Sequence, residues 1–214
     1  MKMSRVIVAT LSLLLVLITS SSATVVDFCV ADFNNPLGPA GYPCRNLANL
    51  TMDDFVFSGL GVLADTPGNI FKVGVTAAVD VTFPALNGLD ISISRLDIGV
   101  GGVVPIHTHR VSELILVIEG TIISGFIAED NTAFYKKLYK DDIIIFPQGM
   151  LHFQVNVGDV PALAFVSLNS ANPGFQTTTT SLFANDLPTE VVEKITLLDV
   201  QQVKKLKELF GGTN

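Results

Sequence analysis

The sequence predicts a mainly β chain, an antiparallel sandwich or barrel carrying a short helical tail. Three observations carry this. Short runs rich in Val, Ile, Leu and Phe follow one another from about residue 91 to 168. Turn residues separate these runs at close spacing, with no helical periodicity between them. Past Pro188 the apolar spacing changes to that of helices.

The elements follow in order. Lys2 and Arg5 precede an apolar run from Val6 to Ile18, and Ser20 to Ala23 are small. That is the pattern of a secretory signal peptide, with cleavage expected after Ala23; the run is too short to span a bilayer. Residues 24–60 read as an N-terminal arm with turns at Asn34-Asn35-Pro36 and Gly38-Pro39-Ala40-Gly41. The two cysteines, Cys29 and Cys44, both lie in this arm. In an oxidising compartment they form most simply an intramolecular disulfide worth roughly 3 kcal/mol, with free thiols or intermolecular bridges as the alternatives. Asn49-Leu50-Thr51 is a glycosylation sequon.

Residues 61–185 hold the strands. Ile91 to Ile98 alternates apolar and polar residues after an Asn87-Gly88 hairpin signal. Leu114–Ile118, Ile122–Ile127, Phe134–Tyr139, Ile143–Phe146, Leu151–Val157 and Ala162–Leu168 continue the series. Residues 186–214 turn helical. Pro188-Thr189-Glu190 opens one short helix, and Asp199 caps a second from Val200 to Phe210 that stops at Gly211-Gly212. Its apolar Val203, Leu206, Leu209 and Phe210 suit either a partner subunit or the chain's own barrel.

Charge excludes some functions. The chain has 13 basic and 20 acidic residues; without Lys2 and Arg5 the formal charge is −9. Nucleic acid and anionic membranes select basic surfaces, so neither is an expected partner. No membrane span is expected after the leader.

All three histidines fall in two patches. One runs from Gly101 through His107, His109 and Glu113; the other from Pro147 and Gly149 through His152 to Asn156. Side chains two apart on a strand share a face, so a regular strand would point His107, His109 and Glu113 the same way, unless a bulge intervened. His152 would join them from a neighbouring or facing strand, with Gln154 and Asn156 beside it as candidates to orient a bound water. Three imidazoles and a carboxylate suffice for a divalent transition metal: zinc could be closed tetrahedrally, whereas manganese or iron would keep exchangeable positions. Glu119 and Glu129 are the nearest competing carboxylates, and both read as turn or loop residues.

These patches resemble the two cupin boxes of plant germins and germin-like proteins. Gly101, His107, His109, Glu113 and Gly120 fill the first; Pro147, Gly149, His152 and Asn156 fill the second. Asp27 to Asp32, Ala40 to Cys44, Asp54 to Leu60 and Lys204 to Lys207 resemble further family segments, so the likeness covers essentially all of the mature chain. Val104 to His109 with Pro147 to Gly149 most resemble the auxin-binding branch. The resemblance implies a cupin jelly-roll β-barrel with a C-terminal helical segment. It implies manganese held by His107, His109, Glu113 and His152, a Cys29–Cys44 disulfide, and a glycosylated protein of the apoplast and cell wall. It implies a homohexamer built as a trimer of dimers through the C-terminal helices. Three functions are then open: a defence- or stress-related superoxide dismutase, a binding protein for an auxin-type carboxylate, and a structural or storage protein of the wall without turnover.

Two departures bear on chemistry. True germins line the substrate cavity with asparagines where this chain has Ser94 and Val104, so little oxalate oxidase activity is expected. The second box ordinarily opens with Gly, where this chain has Asp141; Asp tolerates the left-handed turn better than most residues.

Overall fold

The computed structural model describes residues 26–213 apart from 40, 65 and 67; the expected signal peptide, 1–23, lies outside these residues. Two antiparallel five-stranded sheets face one another. One has the order β1 (Val73–Ala78), β2 (Ser92–Ile98), β9 (Ala162–Leu168), β4 (Glu113–Glu119), β7 (Ile143–Phe146). The other has β10 (Gln176–Thr177), β3 (Val103–Thr108), β8 (Leu151–Asn156), β5 (Ile122–Ile127), β6 (Ala133–Leu138). This is the expected jelly roll.

Period-two alternation builds the interior. In β4, Glu113, Ile115 and Val117 point inward, and in β8, His152, Gln154 and Asn156 do so. The apolar members join Leu96, Ile98, Ile122 and Phe146 in one core between the sheets. Turn residues behave as their chemistry requires. Gly120 has φ 83°, and a Cβ there would meet the Ala162 Cα at 2.7 Å, so both conformation and space demand glycine. Asp141 adopts φ 71°, the left-handed geometry expected of it.

The arm is fastened to the barrel. Cys29 and Cys44 form a disulfide across a sequence separation of 15. Asn87 is buried, and its amide bonds Tyr42 twice, accepting from the main-chain N at 3.0 Å and donating to the O at 2.8 Å. Asn87-Gly88 is therefore no two-residue hairpin turn. A longer connection, residues 79–91, joins β1 to β2, and within it Asn87 is engaged by the arm. Arg95 of β2 holds Asp97 and reaches the Leu60 carbonyl, while Asp97 accepts from Ala64 N.

Three α-helices follow: α1 (Thr178–Phe183), α2 (Thr189–Thr196) and α3 (Val200–Phe210). The last two match the sequence reading, and Asp199 closes a capping box with Gln202 while Gly211 ends α3 in the left-handed region. Helix α1 and strand β1 were not legible in the pattern. Val192 and Val203 are fully buried against Phe183 in a small cluster of their own, and Phe210 stacks on Phe71. So part of the helical apolar face packs on the chain itself. Leu209, Ile195 and Leu197 remain exposed.

Candidate metal centre

The four side chains singled out by sequence meet. One ligating atom from each of His107, His109, Glu113 and His152 lies within 4.8 Å of the others. His107 and His152 stand opposite one another in the β3–β8 ladder, with ring centroids 4.0 Å apart. The His109 and His152 Nε2 atoms lie 2.8 and 3.2 Å from the Glu113 Oε2. Neither Glu119 nor Glu129 belongs to the group.

The route to this meeting differs from the one expected. His107, His109 and Glu113 do not share a regular strand. Strand β3 ends at Thr108, before His109, and a register shift between Val104 and His107 sets the phase in which His107 enters the centre. Residues 109–112 turn across, held by Gly149 N donating to His109 O and Arg110 N donating to Pro173 O. Glu113 then opens β4 in the opposite sheet. The centre thus takes two histidines from one sheet, its carboxylate from the other, and His109 from the crossing between them.

The residues fit a divalent metal. Each histidine donates its Nδ1–H to a main-chain carbonyl: His107 to Pro105 at 2.8 Å, His152 to Met150 at 2.8 Å, and His109 to Gly174. That fixes the tautomer and leaves all three Nε2 lone pairs for the centre. Burial, reinforced by His152, pushes His107 down to about 4, so it is neutral and ready to ligate at neutral pH. Burial alone would raise the Glu113 carboxyl, but the His109 and His152 side chains against it outweigh that and hold it at about 2. For His109 the lowering effect of burial is exceeded by Glu113 and the Gly174 carbonyl, and its pKa is raised.

The centre opens onto a cavity of about 420 Å³, within the range of small-molecule sites. Its walls are chiefly apolar, with Val75, Val79, Leu96, Val166 and Leu168 among them, and Phe175 lies near its mouth with its ring centroid 4.9 Å from that of His107. Ser94 and Val104 both line it, so the two departures noted in the sequence fall where a bound molecule would feel them. Gln154 also lines it; its amide is buried, and Nε2 has no hydrogen-bond partner among the described residues. Asn156 is differently employed. Its Nδ2 donates to the carbonyls of Ile98, Gly99 and Val160, and its Oδ1 accepts from Gly158 N, so it braces loops.

Residues 63–204 match the cupin family model. The chain belongs to the cupin family. Within that family, curated relatives include auxin-binding proteins and germin-like proteins. The auxin-binding protein ABP19b of Prunus persica is 57% identical over 92% of this cupin and 95% of the relative. The germin-like protein subfamily 3 member 3 of Arabidopsis thaliana is 50% identical over 92% and 93%. Among solved structures, oxalate oxidase in complex with the substrate analogue glycolate superimposes with a TM-score of 0.83 at 30% identity, covering 88% of this cupin and 98% of that chain.

The carbonyls of Pro105, Met150 and Gly174 were missed by sequence reasoning. Those of Pro105 and Met150 each stand two residues before a ligand histidine, a spacing that is readable in a strand. Gly174 lies 65 residues from His109 and had no local signal.

Proposed function

We propose that this cupin is a secreted, manganese-binding germin-like protein of the plant apoplast that dismutes superoxide. The observation that carries the reading is the convergence of three Nε2-presenting histidines and one ionised carboxylate beside an open cavity. Manganese, when bound, supplies two accessible oxidation states and exchangeable positions. The protein's own groups prepare the place. The three carbonyls orient the imidazoles, Glu113 offsets the charge of a cation, and the Gln154 amide offers a donor to an entering anion. The test is to purify the secreted protein, measure its metal content and assay superoxide dismutation beside a His109→Ala variant. Manganese with activity lost in the variant is expected; a metal-loaded protein without dismutation refutes the enzymatic reading.

A second reading has its own support. The cavity exceeds what superoxide needs, its walls are apolar, and the most similar relatives reported above include one named auxin-binding. In this reading a small carboxylate with an apolar body sits in the cavity with its charged end at the metal and Gln154. Calorimetric titration of the manganese-loaded protein with an aryl acetate tests it.

Assembly as a homohexamer and glycosylation at Asn49 belong to the same proposal. Ile143, Ile145, Ile195 and Leu197 are exposed apolar side chains on β7 and on and just after α2, available for subunit contacts. Asn49 is exposed at the end of a short 3₁₀ turn. Light scattering and a glycosidase mass shift check these two points.

A further inference from the structure

The carboxylate of Asp80 has no role in the centre described above. It follows β1, is only 5% exposed, and lines the same apolar cavity as the metal ligands. Its Oδ2 is reached weakly by Asn172 Nδ2 at 3.4 Å, and its Oδ1 is buried with no hydrogen-bond partner among the described residues. Asp80 makes no ion pair with any described residue. Burying a carboxylate oxygen without a donor is costly, and nothing in the packing of β1 calls for it.

Its position is built. Asp80 N donates to the Ala171 carbonyl at 2.9 Å. Asn172 is held in turn by Arg110, whose Nη2 reaches its main-chain O and its Oδ1 at 3.2 and 3.1 Å. Two residues on, the Gly174 carbonyl takes the Nδ1–H of His109. One short segment, 171–174, therefore fixes both the free carboxylate oxygen and a metal ligand on the border of one cavity. The metal centre with the Gln154 donor, and the Asp80 acceptor, line one cavity together with apolar side chains such as Val75, Leu96 and Val166.

We propose that Asp80 is a specificity-determining residue, and that the cavity takes a bifunctional ligand: an apolar, aromatic-sized body carrying a carboxylate for the metal end and an N–H or O–H donor for Asp80 Oδ1. This rests on the carboxylate-binding reading given above. A hydrogen bond to a buried carboxylate oxygen in an apolar site discriminates strongly against a ligand that lacks the donor.

The test uses two probes of nearly equal shape, indole-3-acetate and benzothiophene-3-acetate, which differ by a ring N–H against a ring sulfur. Both are titrated into the full manganese-loaded protein and into Asp80→Ala and Asp80→Asn variants, with bound manganese measured in each as the control for an intact barrel. The wild type is expected to bind the N–H probe about tenfold or more tightly than the sulfur probe. In Asp80→Ala the preference should fall to within about twofold, by loss of affinity for the N–H probe alone. Asp80→Asn, which keeps the shape with a neutral acceptor, should fall between and serves if the alanine variant does not fold. Equal binding of the two probes to the wild type, or a preference that survives in Asp80→Ala, overturns the role of Asp80 alone. Failure of both probes to bind the loaded wild type overturns the carboxylate-binding reading and this inference with it.

Discussion

His107 and His152 face one another across the β3–β8 ladder, each ring held by the carbonyl of the residue two before it, Pro105 and Met150. The same device on paired strands aims two Nε2 atoms at one point. Removing either ring takes away one ligand of four. His152→Ala should therefore lower manganese occupancy by well over tenfold after dialysis while leaving the β signature of the circular dichroism spectrum in place. Elemental analysis of the purified protein reads the outcome.

Acid should destabilise the metal-free protein in two stages. His107 sits at about 4 when folded, against an ordinary 6.5, because it is buried and faces His152. The unfolded chain thus binds that proton first, so the His107 contribution is complete above pH 6.5 and is lost as pH falls through about 4. Glu113, at about 2 against 4.5, repeats the pattern lower down: complete above pH 4.5, lost as pH falls through about 2. His109, raised by Glu113 and Gly174 against its burial, has the opposite sign, contributing below pH 6.5 and fading as pH rises through its raised value. Urea midpoints measured from pH 7 to 4 should decline, and His107→Gln should flatten that decline.

Oxalate should be a poor substrate. Ser94 and Val104 line the cavity, and neither offers an amide donor. Hydrogen peroxide released from oxalate by the manganese-loaded protein should stay near background. A peroxide yield matching that of an oxalate oxidase run in parallel would refute this.

Asn87 ties the arm to the barrel through both polar ends of its amide, with Nδ2 also 3.2 Å from the Cys29 sulfur. Asn87→Ala removes the partner of two part-buried main-chain groups of Tyr42 and should cost about 1–3 kcal/mol. Chemical denaturation measures the loss, and proteolysis should then cut first between residues 30 and 60.

The fold was largely readable because β8 alternates apolar and polar residues, because β4 is a short apolar run rich in β-branched residues, and because Asp199 and Gly211 punctuate α3 with unambiguous caps. Strand β1 escaped because Val73–Ala78 has a smooth, half-buried pattern with small residues at 74, 77 and 78. The ligands were readable for a simpler reason: the chain places all its histidines at the centre. Their geometry was not, since β3 stops at Thr108 and the chain crosses to the other sheet before Glu113, so strand parity does not connect Glu113 to His107. Asp80 was invisible altogether, because an aspartate at the end of a strand reads as a turn residue until its neighbours are known.

The placement of Glu113 in one sheet and of His107 and His152 in the other carries a kinetic consequence. No ligand pair within a single sheet completes the set, so a nascent chain with only one sheet formed holds at most half of it. High-affinity capture of the ion must wait for the long-range pairing of β3 with β8 and for the two layers to dock. An ion bound at this centre would therefore lock the barrel only after it has closed. In a refolding experiment started from denatured chain, the fast uptake of metal should lag the recovery of strand content and coincide with the last slow phase.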